Sequence, residues 1–424
     1  MPPTPLQSGV LMAMSCSTRP MIVVRGTAGT GKSSTMHAFA DWLAADTRTA
    51  LVCLTPTATA GQAAPPCNCG EGVDRRAYTL AEFIANKTMQ KNIRRTFQRA
   101  STFDKCILMI DEYAACTAAD FEKVLTVRKH IFHGIRVVHQ LVMVGDHHQL
   151  PSVETSIFHS QMFDDFLQDT PTLLQLTEAV RCQGDYEMEQ LFRAVVDRNM
   201  DVFLKLMRLR WYHRATPPEG YTCLAFTNER VDCMNNRLAS SLAAEGNTRY
   251  ILEATDASTQ TFVKHARVIC TKNVRSPDGG YTIVNGAFGT LERINGEGRY
   301  SNDGSTKTIP MANAKAHVRL DKTNTVVVVV ATTCEDSTNK TLPLAHGWAV
   351  TIHKSQGMTL KHVYLDLEGA TDFQCIGVAA TRGTTFATML VKPFDDEEIN
   401  RIGMLPLPTA TAAFDKATSS LFIN

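Results

Sequence analysis

The sequence lacks the features that mark exported and membrane-anchored proteins. Its first residues, MPPTPLQSG, contain no charged segment followed by an apolar one, and its longest aliphatic run, Val326–Val330, is far too short to cross a bilayer. Hydrophobic residues make up 44% of the chain and charged residues 20%, which is typical of a folded globular protein. We therefore expect an intracellular protein with no membrane partner.

Cysteine pairs at metal-binding or redox spacing are also lacking. Most of the 12 cysteines lie inside apolar runs such as LVCL, KCILMI and RVIC, where a reduced cysteine packs as a small hydrophobic residue. No CxxC occurs, and Cys67 and Cys69 in PPCNCG have no second ligand pair at zinc spacing. This usage predicts a reducing compartment, the cytoplasm or the nucleus, and gives little support for a metal site at Cys67 and Cys69.

The chain has almost no net charge. Lysine and arginine together number 43, and aspartate and glutamate number 42, so any site for a polyanion has to be local. The densest basic segment runs from residue 87 to residue 105, with six basic residues against one acidic residue. Helical spacing does not place Lys91, Arg94, Arg95 and Arg99 on one face, so a solvated helix and a nucleic-acid surface are both open interpretations.

Strand and helix patterns alternate along the chain, which at 424 residues is too long for one typical core. Apolar runs predict strands at residues 21–25, 50–54, 106–110 and 141–145, and helices are predicted at 32–45 and 118–130. A second series starts near Leu173 and is interrupted by turn-rich β runs. We predict an α/β fold with two parallel-sheet units, at residues 1–172 and at 173–260 with 335–424, and a β insertion at 261–334.

The strongest motif is GTAGTGKS, at residues 26–33, between a predicted strand and a predicted helix. It fits G-x-x-x-x-G-K-[ST], in which glycines allow backbone N–H groups and a helix N-terminus to surround phosphates. We expect Lys32 to reach the β and γ phosphates of ATP and the Ser33 hydroxyl to ligate Mg²⁺. The predicted nucleotide-binding residues of this loop are Gly26, Thr27, Ala28, Gly29, Thr30, Gly31, Lys32, Ser33 and Ser34.

Two further segments carry candidate catalytic groups. Asp111 and Glu112 follow the apolar run CILMI, where a carboxylate can face the Mg²⁺ of the glycine-rich loop. We expect Asp111 to hold the metal through water and Glu112 to deprotonate the attacking water. Gln149, in VGDHHQLPSV, presents an amide that senses the γ-phosphate without acting as a base.

An ordered series of motifs extends from residue 7 to about residue 390. It comprises Gln7, GTAGTGKSS, LTPTATAG, YTLAEF, MIDEY, VGDHHQLPSV, LTEAVRC, FTNERVDCMNNRL, IVNGAFGTL, GWAVTIHKSQGMTL and VAATRGTT. The series resembles superfamily 1 helicases of type B, nearest the RecD, Dda and Pif families. The resemblance implies two RecA-like motor domains with a small β-barrel inserted in the second. It also implies a wedge segment near residues 62–80, which is short here.

The resemblance implies further roles at the nucleotide. Arg181 and Arg382 match the two arginines that stabilise transition-state charge at the γ-phosphate. Gln7 matches the glutamine that recognises adenine. Gln356 and Gly357 would lie toward the γ-phosphate.

Contacts with a single strand of nucleic acid are implied as well. Short hydroxyl side chains and loop N–H groups suit phosphate contacts without base readout. The matching residues are Thr55, Pro56, Thr57, Thr79, Thr351, His353 and Lys354.

The implied activity is that of a helicase that uses ATP and Mg²⁺ and moves 5′ to 3′ on single-stranded DNA. We expect a monomeric motor, alone or within a replication or repair complex. RNA as the natural strand is an open alternative, because contacts with the backbone carry little 2′-OH information. A second alternative, favoured by the short wedge segment, is a translocase or protein-displacing ATPase that does not part a duplex. A nucleotide-binding subunit without catalysis is disfavoured, because the sequence contains the full set of phosphoryl-transfer residues.

Overall fold

The structure is a computed structural model of the chain. It describes residues 3–46, 48–61, 64–69, 76–98, 103–149, 155–168, 171–178, 180–182, 184–275, 282–283, 285–333 and 340–406. In these ranges no helix has the length and apolar character that crossing a bilayer requires. The cysteines in the same ranges are free thiols.

The first unit is built on a parallel sheet of six strands. They are β1 (Met21–Gly26), β2 (Thr49–Thr55), β3 (Tyr78–Thr79), β4 (Lys105–Asp111), β5 (Val138–Gly145) and β6 (Thr172–Leu176). Their order is β3-β2-β4-β5-β1-β6, and all neighbours run parallel. Because the strands of such a sheet are covered on both faces, they are apolar almost throughout, as in MIVVRG.

Helices cover both faces of this sheet. They are α1 (Pro5–Cys16), α2 (Lys32–Ala45), α3 (Ala58–Gly61), α4 (Leu80–Ala85), α5 (Lys87–Gln98), α6 (Ala118–Phe132) and α7 (Gln161–Gln168). Several begin at side-chain caps, with Thr4 and Gln7 forming a capping box on α1 and Thr79 and Glu82 forming one on α4. Such caps satisfy N–H groups that the first turn of a helix leaves unpaired.

The second unit begins with α8 (Tyr186–Val196), α9 (Met200–Arg208), β7 (Thr222–Ala225) and α10 (Asn228–Ala244). The chain then enters a β module. Its strands are β8 (Arg249–Glu253), β9 (Thr259–Val263), β10 (Arg267–Cys270), β11 (Val274–Arg275), β12 (Thr282–Ile283), β13 (Phe288–Asn295), β14 (Arg299–Tyr300), β15 (Thr306–Pro310), β16 (Lys315–Leu320), β17 (Val326–Val330), β18 (Thr332–Thr333), β19 (Lys340–Thr341) and β20 (Leu344–His346).

Two sheets of this module share one core. A five-stranded sheet has the order β17-β16-β13-β10-β20 and a four-stranded sheet the order β14-β15-β8-β9. Tyr250 and Phe262 from the smaller sheet pack with Val268, Leu291 and Val318 from the larger one. Closure of these sheets into a barrel stays a prediction.

The chain then returns to the second unit. It adds β21 (Ala349–Thr351), β22 (Val363–Asp366), α11 (Phe373–Ala380), β23 (Met389–Val391) and α12 (Asp396–Gly403). The second parallel sheet has the order β21-β7-β22-β23. The predicted α/β class with two parallel sheets is therefore confirmed.

The predicted boundaries of the units are wrong at three places. The second unit was expected to start near residue 173, but strand β6 at this position pairs with β1, and Leu173, Leu174 and Leu176 belong to the first core. Strand β8 precedes residue 261 and β9 begins before it, but both belong to the β module, and β20 belongs there although it follows residue 334. Pairing between strands that are distant in sequence decides to which unit each strand belongs, and the local sequence pattern does not reveal that pairing.

Candidate active site

The glycine-rich loop turns from β1 into α2 through two left-handed glycines. Gly29 has φ 82° and Gly31 φ 78°, a region that residues with a Cβ rarely adopt. A Cβ on Gly31 would also clash with Nε2 of Gln7, so that side chain would have to move. The loop can therefore keep its N–H groups turned toward a phosphate.

Lys32 is the first residue of α2 and is buried. Its Nζ donates to the carbonyl oxygens of Gly26, at 2.7 Å, and Thr27, at 3.1 Å. The Thr30 hydroxyl donates to the same Thr27 oxygen at 2.9 Å. These bonds hold the lysine ammonium over the loop, and its contact with phosphate stays a prediction.

Asp111 and Glu112 stand at the carboxyl end of β4. Burial, with the neighbouring Glu112 charge, raises the pKa of Asp111 to about 7, although Lys32 acts in the opposite direction. Asp111 Oδ1 also accepts the Glu112 N–H at 3.0 Å. Such a carboxyl favours a bound cation, since the cation stabilises its charged form.

Glu112 is held in an unusual backbone conformation. Its φ is 54°, a left-handed value that costs a residue with a side chain about 1–2 kcal/mol. Its Oε2 atom is buried and accepts no hydrogen bond from the described residues. Glu112 lines the cavity, and an oxygen without a donor would suit a general base.

Gln149 follows β5 and is positioned by Asp146, a residue that the sequence analysis did not single out. The Gln149 N–H donates to the Asp146 carbonyl at 3.0 Å, and its Nε2 donates to Asp146 Oδ2 at 3.3 Å. Gln149 Oε1 is buried without a donor among the described residues. The Gln149 side-chain amide is therefore fixed through its nitrogen, whereas its oxygen has no donor among the described residues.

The two predicted arginines meet at Thr381. Nη1 of Arg181 donates to the Thr381 carbonyl at 3.2 Å, and Nη2 of Arg382 donates to the Thr381 hydroxyl at 3.4 Å. Arg382 is also anchored to the carbonyls of Val378 and Met358. Burial, and then the charge of Arg181, lowers the pKa of Arg382 to about 10, so it stays a cation at neutral pH.

These groups line one cavity of ≈ 610 Å³, which we call the nucleotide cavity. Its lining is Thr4, Gln7, Ala28, Gly29, Gly31, Lys32, Ser33, Ser34, Ala60, Asp111, Glu112, Gln149, Val180, Arg181, Gly357 and Arg382. The loop residues Gly26, Thr27 and Thr30 are outside this lining, and Thr27 and Thr30 support the loop from within. First-unit and second-unit groups therefore face the same space.

Gln7, expected to recognise adenine, lies buried at this cavity. Its Oε1 accepts the Thr4 N–H at 3.0 Å and its Nε2 donates to the Thr30 carbonyl at 3.4 Å. This amide ties α1 to the glycine-rich loop. Recognition of adenine by Gln7 stays a prediction.

A second cavity, of ≈ 690 Å³, separates the first unit from the second unit and the β module. We call it the strand groove. Its lining includes Pro56, Thr57, Asn228, Asp232, Asn235, Asn236, Gln260, Thr261, Phe262, Thr271, Asn285, Gly286, His346, His353, Lys354, Gln356 and Gly357. Glu112 and Gly357 line both this groove and the nucleotide cavity.

The predicted strand contacts divide into two sets. Pro56, Thr57, His353 and Lys354 line the groove, and His353 and Lys354 are exposed. The other set consists of Thr55, Thr79 and Thr351, which are not part of that lining. Gln356, expected at the γ-phosphate, lines the groove and is absent from the lining of the nucleotide cavity.

The second set serves the backbone instead. The Thr55 hydroxyl donates to the Thr57 carbonyl at 2.8 Å, Thr79 caps α4, and the Thr351 hydroxyl accepts the Lys354 N–H at 3.4 Å. Short hydroxyl side chains bond readily to nearby backbone, and these three have done so. Thr55 and Thr351 thereby hold the turns from which Pro56, Thr57, His353 and Lys354 face the groove.

The groove also contains residues that sequence reasoning missed. Gln260, Thr261 and Phe262 come from β9, and His346 from β20. The His346 ring lies 5.6 Å from the Phe262 ring and 5.2 Å from the Trp348 ring, and burial lowers its pKa to about 4. Asn235 holds this region by bonding to the Ala349 N–H and carbonyl, at 2.9 and 3.0 Å.

The described part of the predicted wedge segment packs on the first sheet. Asn68 forms a bridge with Leu51 of β2, and the Cys53 N–H donates to Cys67 Sγ at 3.2 Å. Cys67 and Cys69 are buried and lie against the core. Residues 62–63 and 70–75 of the segment lie outside the described residues.

Comparison with known proteins agrees with this arrangement. The family described as "AAA domain" matches residues 3–213. The ATP-dependent DNA helicase PIF1 of Homo sapiens is 26% identical over 419 residues, covering 88% of this chain and 58% of that protein. The Mus musculus PIF1 is 26% identical over 312 residues, covering 68% and 45%. The chain thus spans about half the length of the curated relatives it matches.

Solved structures match over the whole chain. The Pif1 helicase from Candida albicans gives a TM-score of 0.67 at 21% identity, covering 99% of both chains. The Bacteroides Pif1 helicase in complex with ADP-AlF3 and ssDNA gives a TM-score of 0.68 at 16% identity, covering 99% of this chain and 98% of that one. These matches establish a shared fold. The chain is therefore similar to Pif1 helicases of superfamily 1 in both sequence and fold.

Proposed function

We propose that the protein is an ATP-hydrolysing motor that moves 5′ to 3′ on single-stranded DNA and unwinds duplex. One observation carries the proposal: Lys32, Asp111 and Glu112 of the first unit face Arg382 of the second across one cavity. Hydrolysis at such a junction can drive relative movement of the two units. The direction and the DNA preference are those that the family resemblance implies, and the similar Bacteroides Pif1 helicase has been solved in complex with ssDNA.

The residues of the nucleotide cavity fit Mg²⁺–ATP. Ser33 and Asp111 would hold the ion, and the raised pKa of Asp111 is consistent with a carboxyl that awaits a cation. A magnesium ion bound there would neutralise charge that develops on the phosphates. Glu112 would take the proton of the attacking water, and Gln149 would orient that water.

The two arginines would bind the γ-phosphate of ATP. Arg181 and Arg382 would stabilise charge on the γ-phosphate in the transition state. Both contact Thr381, which directly follows α11 of the second unit. Drawing these groups toward the phosphate would close the cleft, and product release would open it.

The strand groove would hold the single strand during this cycle. Glu112 and Gly357 line both cavities, so a strand in the groove lies directly beside the hydrolytic residues. We propose that the motor works as a monomer, alone or in a replication or repair complex. The sequence preference is expected to be slight, since groove contacts of this kind carry little base readout.

Strand displacement tests this function. A duplex with a 5′ single-stranded tail, the same duplex with a 3′ tail, and RNA versions of both are incubated with ATP and Mg²⁺. We expect displacement of the 5′-tailed DNA duplex, and no displacement by Lys32→Ala. Displacement of only the 3′-tailed substrate would contradict the direction, and displacement of only RNA would contradict the strand type.

A second candidate is a translocase that does not part a duplex. It is favoured by the described wedge residues, which pack against β2 through Asn68 and Cys67. Such a protein would hydrolyse ATP on single strands and displace a bound protein. Failure to displace either tailed duplex, with strand-stimulated hydrolysis intact, would select this candidate.

A further inference from the structure

Helix α5, Lys87–Gln98, contains four cationic residues and no acidic one. Its buried face consists of Met89, Gln90, Ile93 and Phe97. Gln90 Nε2 donates to the carbonyls of Phe83 and Ile84, at 2.7 and 2.9 Å. The helix is therefore fixed to the first unit.

Arg94 contributes to this packing. Its guanidinium donates to the carbonyls of His130 and Ile131, each at 2.8 Å, and to that of His133 at 3.0 Å. It thereby satisfies carbonyls at the C-terminus of α6, where a cation is favoured. Arg94 is a structural residue of the α5–α6 contact.

The other three cations form a row on the opposite face. Lys87, Lys91 and Arg95 are exposed and stand four residues apart, so they share one side of the helix. No ion pair of these three occurs within the described residues. We call this row the cation stripe. Eight residues of helix give it a length of about 12 Å.

The strand groove supplies little positive charge of its own. Its charged lining residues are Glu112, Asp232 and Lys354, which gives two acids against one lysine. A nucleic acid in the groove would thus find little positive charge there. The phosphates that it brings would be neutralised elsewhere on the protein.

The form of the stripe fits a duplex better than a single strand. Single strands are held on aromatic platforms, but Phe97, the aromatic residue of α5, is buried. A regular row of charges suits a regular backbone, and along the axis of a duplex about 12 Å corresponds to roughly three to four nucleotides of one strand at 3.4 Å of rise each. Lys87 follows Thr79, at the edge strand β3 of the first sheet, by only eight residues.

We propose that the cation stripe Lys87–Lys91–Arg95 binds the phosphate backbone of the duplex arm of the substrate while the groove holds the single strand. This inference rests on the proposed function and assigns it a second nucleic-acid surface. The binding is electrostatic and independent of sequence.

Salt dependence of binding tests the stripe. The affinity of the full chain is measured by fluorescence anisotropy for a short single strand and for a fork with the same strand as its tail. In the triple variant K87Q/K91Q/R95Q, the slope of log affinity against log salt should fall by about 2–3 for the fork. Between ~50 and ~200 mM salt this corresponds to roughly a forty-fold smaller loss of affinity. The slope for the single strand and the ATP hydrolysis rate without nucleic acid should not change.

The control variant K205Q/R249Q/K322Q removes the same charge from exposed positions elsewhere. It should keep the wild-type difference between fork and single strand. Equal fork slopes for the two triple variants would overturn the stripe assignment, and so would an equal fall for both substrates. Polyglutamate serves as an acidic protein probe. If the wild-type chain binds it and K87Q/K91Q/R95Q does not, while the fork slope is unchanged, the stripe would be assigned to an acidic protein instead. If the wild-type chain binds neither nucleic acid, the proposed function itself fails.

Discussion

The nucleotide cavity and the strand groove have similar volumes, ≈ 610 and ≈ 690 Å³, but different chemistry. The nucleotide cavity collects formal charges of both signs, including Lys32, Asp111 and Arg382. The groove presents amides, hydroxyl groups and apolar side chains, with few charges. The contrast teaches that charge is concentrated in the cavity proposed for phosphate chemistry, whereas the groove proposed for a sliding strand would offer weaker contacts. Glu112 and Gly357 line both spaces and join them.

The largest effect is expected at Arg382. The Arg382→Ala variant should lower kcat for ATP hydrolysis by about 10³–10⁵, because it removes the cation that faces the γ-phosphate. Arg382→Lys keeps the charge but loses the planar guanidinium, and should recover only part of the rate. Steady-state hydrolysis measures kcat, and a thermal melt checks folding. A rate within tenfold of wild type in a folded Arg382→Ala protein would contradict the assignment.

Glu112 lines both the nucleotide cavity and the strand groove, so its substitution tests whether it acts in hydrolysis or in strand binding. Glu112→Gln should lower kcat by about 10²–10⁴ through loss of the general base, while ATP and strand affinities are retained. The matched control is Asp232→Asn, which removes an acid from the groove alone and should leave kcat unchanged. Equal hydrolysis rates for the two variants would place the base elsewhere.

His346 tests the apolar character of the groove. Because burial lowers its folded pKa to about 4, the unfolded chain binds a proton first as pH falls below about 6.5. The free energy of unfolding should therefore decrease between pH ~6.5 and ~4, by roughly 1–3 kcal/mol from this residue. Denaturant melts of His346→Gln should show a smaller decrease than wild type. The exposed His130→Gln should melt like wild type, and an identical pH profile for His346→Gln would contradict burial of the ring.

The smallest effect is expected at Lys354, the lysine of the groove. Lys354→Gln should reduce the salt slope for single-strand binding by about 0.7, which corresponds to one phosphate contact. Lys361→Gln, which removes an exposed lysine outside the groove lining, serves as control. A fall of several units in the slope for Lys354→Gln would show that charge dominates the groove after all.

The sequence predicts the nucleotide cavity better than the groove, for a physical reason. The glycine-rich loop and Asp111–Glu112 carry local signals, since glycine spacing and a carboxylate after a buried strand are visible in a short segment. Arg181 and Arg382 entered through the family resemblance alone, and the structure brings both to the cavity.

The groove is assembled from distant strands. Gln260 and His346 reach it because β9 and β20 belong to the β module, and neither strand carries a motif. Motifs located the strand ends at Thr55, Thr79 and Thr351. They did not predict the direction of the three hydroxyl groups, which bond to nearby backbone. Strand pairing across distant segments likewise placed β6 in the first sheet.

The central claim is that the strand groove and the nucleotide cavity work as one device. The most direct measurement is the rate of ATP hydrolysis by the full chain with and without saturating single-stranded DNA, with Lys32→Ala as the background. The account predicts that the strand raises kcat, because Glu112 and Gly357 are shared by both spaces. An unchanged kcat, with strand binding verified by anisotropy, would contradict it.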